Sequence, residues 1–179
     1  MASFGPFLKY FLRPYLLAGM AIVLLTGCSQ ESDSRYDPHA DARQSFEQAR
    51  LTAVQNERYL MVVFGADWCP DCLKLHDNLK SSEVSSYMRE HMDFITVDVG
   101  ERDRNLALAN ELGVTIDRGI PVAVFFKPDG TPLGTTNDGQ LEPSRHFTSR
   151  QILRFVKAVV EHSQISSPIV KTRAKDPTS

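Results

Sequence analysis

Two cysteines with two residues between them, Cys69 and Cys72, are the side chains in this sequence best placed to do chemistry. They sit in the run Gly65-Ala66-Asp67-Trp68-Cys69-Pro70-Asp71-Cys72. Proline suits the first position of a helix, where its missing N–H would have no partner anyway, so a helix is expected to start at Pro70. Cys69 then stands at the helix N-terminus, where unsatisfied N–H groups and the helix dipole stabilise a thiolate. Cys72 lies one turn inside on the same face, close enough to form a disulfide. This arrangement casts Cys69 as the more exposed, lower-pKa nucleophile and Cys72 as the resolving thiol that attacks a mixed disulfide. The electrons reside on the two sulfurs, so no cofactor is called for. Asp71 puts a negative charge beside both sulfurs, which taken alone raises the thiolate pKa and favours a reducing couple.

Other readings of the same residues compete with this one. A structural disulfide across so short a loop gains little from loop entropy. The pair could also belong to a binding module that holds a partner with an inert disulfide. A copper or zinc site is a further alternative, because His76 lies four residues after Cys72 and shares a helix face with the two thiols. A copper-delivery protein would use Cys69, Cys72 and His76, although no second Cys-x-x-Cys is present. Haem attachment is excluded because Leu73, not histidine, follows Cys72. Asp67, Asp71 and the acidic stretch Asp98–Asp103 read by type as solvated loop charges, and His146 as a loop residue without a role.

The elements that must position the pair follow from periodicity. Ala42, Phe46, Ala49 and Ala53 recur at helical spacing and predict a helix over 41–56. Tyr59–Phe64 is a continuous apolar run, expected of a strand buried on both faces. Phe94–Val99 predicts a second strand, Leu106, Ala109 and Leu112 a short helix, and Gly113 its end. Pro121–Phe126 predicts a third strand, and Lys127-Pro128-Asp129-Gly130 a turn. Thr131–Thr136 returns antiparallel as an edge strand, since Pro132 cannot donate to a ladder. Thr148 and Gln151 form a capping box before a last helix with Ile152, Val156, Val159 and Val160 on one face. The fold class is α/β, a mixed central sheet of about four strands with helices on both sides. Strands separated by helices are expected to pair in parallel and the strands of the final turn antiparallel.

The third cysteine, Cys28, belongs to a different feature. Lys9 and Arg13 precede the uncharged run Pro14–Leu25, and Thr26-Gly27 leads to Cys28. Basic, apolar and small-residue segments in that order read as a secretory signal. Only 14 residues lie between Arg13 and Cys28, whereas a membrane-spanning helix needs about 20. Leu25-Thr26-Gly27-Cys28 resembles the lipobox of bacterial lipoproteins, which implies cleavage before Cys28 and acylation of its sulfur. Residues 1–27 are then a signal peptide, 28–40 a polar tether, 41–163 the folded domain and 164–179 a loose tail. The resemblance, with Ser29 after the cysteine, implies the periplasmic face of an outer membrane, or otherwise the outer face of the cytoplasmic membrane. Removing residues 1–27 leaves 18 basic and 22 acidic residues, a net charge of -4. With no basic stripe, nucleic-acid binding has no support.

The segment Phe64–Cys72 resembles the active-site strand and turn of the thioredoxin superfamily. Its Ala66-Asp67-Trp68-Cys69 wording is similar to the C-terminal periplasmic domain of DsbD-type reductases. The resemblance runs from roughly Tyr59 to His162 and implies a thioredoxin-like fold and a thiol-disulfide oxidoreductase of the protein-disulfide reductase type. It implies that Ile120-Pro121 is cis and that the Ile120 backbone pairs with an extended substrate. It also implies that Trp68 shapes the substrate face. The implied partners are envelope proteins with disulfides and a membrane electron donor upstream. One departure stands out: the buried Asp that many thioredoxins carry six residues before the first cysteine is Val63 here. Asp67, His76 or water would then serve the resolving thiol, or the resolving step is slower.

Overall fold

The structure is a computed structural model and describes residues 34–162 and 165. The segment read as a signal, Cys28 and the remainder of the expected tail therefore lie outside the described residues. Ten elements follow one another. They are α1 (Ala42–Gln55), β1 (Tyr59–Gly65), α2 (Pro70–Lys80), α3 (Ser82–His91), β2 (Met92–Asp98), α4 (Leu106–Glu111), β3 (Val122–Phe126), β4 (Pro132–Thr135), a 3-10 turn (Ser144–His146) and α5 (Ser149–His162).

The sheet has the order β2-β1-β3-β4. β1 is central, which accounts for its unbroken apolar run: Leu60 through Gly65 are all buried. Successive strand residues face opposite sides of a sheet, and two neighbours on β3 show what covers each side. Phe125 meets Phe155 of α5 edge-on, with ring centroids 5.8 Å apart. Phe126 meets Phe46 of α1 at 5.4 Å. Helices therefore cover both faces.

β1 and β2 are parallel, as expected for strands joined through helices. β3 runs antiparallel to β1, contrary to the expectation from the helix between β2 and β3. The reason is length. The six residues of α4 span about 9 Å, too short to return the chain along β2. The chain stays at the end where β2 finishes, and β3 starts there: Gly65 pairs with Asp98 and Phe64 with Val122. All three strands thus deliver their loops to one end of the sheet.

The helix expected from Pro70 is in fact two helices. Ser81 has ψ 148° and breaks the chain between α2 and α3. α3 buries Val84 and Met88, four residues apart, and carries Glu83 in its first turn. β4 is a short edge strand containing Pro132, with an irregularity in register beside Phe126. Gly113 adopts φ +68°, the left-handed conformation that ends α4. The capping box forms: the Thr148 N–H donates to Gln151 Oε1 (2.9 Å), and the Gln151 N–H donates to Thr148 Oγ1 (3.3 Å).

The start of the domain differs from the sequence reading. Residues 34–40, assigned to the tether, include Tyr36, which is 1 % exposed and part of the core. A phenol ring buries enough apolar surface to dock even in a polar stretch. No described helix is long and apolar enough to cross a membrane.

Candidate functional site

The end of the sheet where β1, β2 and the start of β3 meet carries the two cysteines. Cys69 is the N-cap of α2, with extended backbone (φ -91°, ψ 112°), and Pro70 is the first helical residue. Cys69 Sγ accepts the Cys72 N–H at 3.3 Å, the interaction by which a cap residue satisfies an otherwise orphaned donor. The thiol of Cys69 points at the Ile120 carbonyl oxygen, 3.5 Å away. The Ile120–Pro121 peptide is cis. Both cysteines are free thiols and both are buried, Cys72 completely and Cys69 with 4 % exposed, so Cys69 is the more exposed of the two without being an exposed side chain.

The two thiols are split electrostatically. Hydrogen bonding to the Cys72 thiol, helped by the N–H groups of Cys72 and Asp71, holds Cys69 down at about 7 against the effects of burial and the Asp71 charge. Burial, followed by the neighbouring Cys69, pushes the Cys72 thiol far up. One sulfur is therefore available as thiolate near neutrality and the other is a thiol, the division of labour that a two-cysteine exchange requires.

Asp71 is not the solvated charge its type suggested. It is 5 % exposed and is gripped by Arg145. The Arg145 backbone N–H and Nε donate to Oδ1 at 2.8 and 3.0 Å, and Nη2 donates to Oδ2 at 2.5 Å. Burial works against ionisation of Asp71, and the Arg145 hydrogen bonds and charge overcome it, leaving its carboxyl below the usual range. Arg145 was missed by the sequence reading. A buried acid between two thiols calls for a cation, but nothing local distinguishes Arg145 from the other arginines.

Asp67 is likewise engaged: its Oδ1 accepts the Tyr36 N–H at 3.1 Å and its Oδ2 the Ser34 hydroxyl. Asp98 is buried and accepts the Gly100 N–H at 3.1 Å and Arg104 Nη1 at 3.4 Å. Val63 is buried in the centre of β1. His76, a candidate to serve the resolving thiol, instead packs edge-on against Phe94 of β2 at 6.0 Å. Among the described residues no group of three His, Cys, Asp or Glu side chains is placed to hold a metal ion, so Cys69, Cys72 and His76 do not assemble the copper site.

Trp68 is 47 % exposed. Its Nε1–H donates to the Gly100 carbonyl at 2.8 Å, and the Arg102 guanidinium lies 5.8 Å from its ring. Trp68, Cys69, Ile120, Glu142, Pro143 and His146 line an open groove of about 570 Å³. His146, given no role from sequence, is thus a groove residue delivered by the 3-10 turn.

The thioredoxin-like domain family matches residues 46–156. No curated protein matches the chain. Among solved structures, the disulphide isomerase from Xylella fastidiosa Temecula1 is 32 % identical, with a TM-score of 0.68, covering 70 % of this chain and 96 % of that one. A structure described as DsbH oxidoreductase is 25 % identical, with a TM-score of 0.49, covering 65 % and 81 %. A thioredoxin from Thermus thermophilus is 20 % identical, with a TM-score of 0.46, covering 74 % and 95 %.

Proposed function

The chain belongs to the thioredoxin-like domain family, and from that premise we propose that it is an envelope thiol-disulfide oxidoreductase that reduces protein disulfides. The coarser activity, thiol-disulfide exchange through Cys69 and Cys72, agrees with the relative described as a disulphide isomerase. The observation that carries the reading is the cap: Cys69 Sγ at the N-terminus of α2, accepting the Cys72 N–H, with Cys72 buried beneath it.

The reaction runs in two displacements. Cys69 thiolate attacks one sulfur of a substrate disulfide in line, and the other substrate sulfur leaves with the bonding electron pair. Cys72 then attacks Cys69 Sγ, the Cys69–Cys72 disulfide forms, and the second substrate sulfur leaves reduced. Two electrons have passed from the dithiol to the substrate. A membrane electron donor returns them by the reverse exchange. During the first step the Ile120 carbonyl, already within 3.5 Å of Cys69 Sγ, offers an acceptor to the backbone of an extended substrate, and Trp68 supplies an exposed apolar face beside it.

The thiolate supports the reducing direction. A strong oxidant stabilises its reduced thiolate with a pKa near 3.5, whereas thioredoxin lies near 7. Cys69 at about 7 falls on the reducing side. Measurement of the reduction potential tests this: a value near about -270 mV supports the reductase, and one near about -120 mV makes the protein an oxidant and sinks the reading.

The envelope location rests on the first 28 residues of the sequence: export and acylation of Cys28 would hold the domain on the periplasmic side of a membrane. Mass spectrometry of the mature N-terminus checks it. Acyl chains on Cys28, and release to the soluble fraction in Cys28→Ala, are the expected results. An unmodified Cys28 removes the anchor from the proposal.

A further inference from the structure

The resolving thiol has an unusual companion. With valine at position 63, no carboxylate stands where the family pattern would place one. The volume beside Cys72 is filled instead by a residue from before the first helix. Gly65 shows how closely the pieces meet: a Cβ there would lie 2.7 Å from Tyr36 Cε1 and Cζ and 2.9 Å from Cys72 Sγ. The ring and the sulfur thus share one small space over Gly65, which only glycine leaves open. The Tyr36 hydroxyl donates to the Cys72 carbonyl oxygen at 3.4 Å.

Tyr36 is carried there by a short strap that is itself fastened. The Tyr36 N–H and the Ser34 hydroxyl both donate to Asp67, two residues before Cys69. Thr96 Oγ1 on β2 donates to the Arg35 carbonyl at 2.7 Å. Arg35 Nε donates to Asp77 of α2 at 2.9 Å. The strap therefore spans β2, the active-site loop and α2, and its one deeply buried side chain ends on Cys72.

We propose that Tyr36 is a positioning residue for the resolving thiol: held by its strap on Asp67 and Thr96, it seals Cys72 from solvent so that Cys72 reacts only with a sulfur bonded to Cys69. This rests on the thiol-exchange reading of the site. In the step concerned, the Cys72 sulfur bonds to Cys69 Sγ and the bond from Cys69 to the substrate sulfur breaks. The substrate sulfur leaves with the electron pair and takes up the proton that Cys72 gives up. The packed Tyr36 ring keeps water and small electrophiles away from Cys72 and, unlike a buried carboxylate, offers no base to take its proton before that moment.

The test reads Cys72 directly, without any substrate. In full chains carrying Cys69→Ala, iodoacetamide modification of Cys72 is followed by peptide mass spectrometry, which separates it from Cys28. Adding Tyr36→Ala is expected to speed the reaction by about tenfold or more, and Tyr36→Phe, which keeps the ring, by less than about threefold. Asp67→Asn, which loosens the strap without touching the core, is expected to give an intermediate rise and decides the matter if Tyr36→Ala does not fold. In chains carrying Cys72→Ala, Tyr36→Ala is expected to leave the Cys69 rate within about twofold. Equal rates at Cys72 with and without Tyr36, or a parallel rise at both cysteines from general loosening, would overturn the proposal. A reduction potential on the oxidising side would sink the reductase reading and leave this result standing.

Discussion

Asp71, which lies between the two cysteines, is held by the side chain and the backbone N–H of Arg145, a residue 74 positions further along the chain. The carboxylate is buried and the guanidinium is half in solvent, with 54 % of its side chain exposed. Asp71 raises the Cys69 pKa, but its charge is the smallest of the influences on that thiol. The pairing explains why: an acid already matched by a cation exerts a weak net field on a third group. The sequence reading of Asp71 as an unopposed charge tilting the couple toward reduction is corrected in size, and the hydrogen bond from the Cys72 thiol, with the helix N–H groups, keeps Cys69 at about 7.

Separating the pair should move the thiolate in opposite directions. Arg145→Ala leaves Asp71 uncompensated beside Cys69, so its pKa is expected to rise above about 7 and exchange at neutral pH to slow. Asp71→Asn leaves the cation unopposed, so the pKa is expected to fall and the couple to become more oxidising. The ultraviolet absorbance of the thiolate, titrated in both variants, checks this; shifts of the same sign would show that the pair acts through packing rather than charge.

The capping box offers a test of the fold that is separate from the chemistry. Thr148→Ala removes an acceptor for the Gln151 N–H at the start of α5 and is expected to cost about 1 kcal/mol. α5 packs Phe155 on Phe125 at the sheet face away from α1, so the loss should appear in the urea midpoint of the whole domain. The rate of Cys69 alkylation should be unchanged.

The parts of this molecule that were legible in the sequence are those written in local periodicity. β1 showed itself because a central strand is apolar on both faces, and α2 because Pro70 marks a first helical turn. α3 did not, since it buries only Val84 and Met88 in a serine-rich stretch and offers too short a stripe to detect. The direction of β3 was misread because pairing depends on how far a connection travels, and a six-residue helix travels little. Arg145, Tyr36 and the strap escaped for a common reason. Each reaches the cysteines through tertiary contacts across 31 to 74 positions, and no spacing rule operates over such separations. Tyr36 was hidden further by its polar neighbours, which suggested a tether.

Trp68 offers a test that separates recognition from reactivity. Its exposed ring borders the groove beside Cys69, and its Nε1–H is already spent on Gly100. An exposed, anchored aromatic is the type of residue that dominates binding of a protein partner. Trp68→Ala is expected to raise KM for a disulfide-bonded protein substrate about tenfold, or about 1.4 kcal/mol, with kcat little changed. Alkylation of Cys69 by iodoacetamide should stay within about twofold, since the small reagent makes no use of the ring. A matching fall in both would place Trp68 in the chemistry of Cys69 instead.

The split between the two thiols predicts how stability of the reduced protein varies with pH. Cys69 is depressed to about 7 in the fold and recovers an ordinary thiol value when unfolded. Its contribution is therefore present above the unfolded value, about pH 8.5, and is lost as pH falls through about 7. Cys72 acts in the opposite sense: burial keeps it protonated in the fold while the unfolded chain releases its proton above about pH 8.5. The reduced form should gain stability on the oxidised form between about pH 7 and about pH 8.5, and give it back at higher pH. The urea midpoint of the reduced form minus that of the oxidised form, measured across that range, should be most favourable to the reduced form near its upper end. Cys72→Ala cannot form the Cys69–Cys72 disulfide, so there the urea midpoint of the reduced chain is followed alone, and its decline above about pH 8.5 should be smaller than in the unsubstituted reduced chain. A difference that stays flat from neutral to alkaline pH would mean that the Cys72 thiol and the helix N–H groups together do not hold Cys69 as a thiolate, and the cap would lose its place as the feature on which the proposed activity rests.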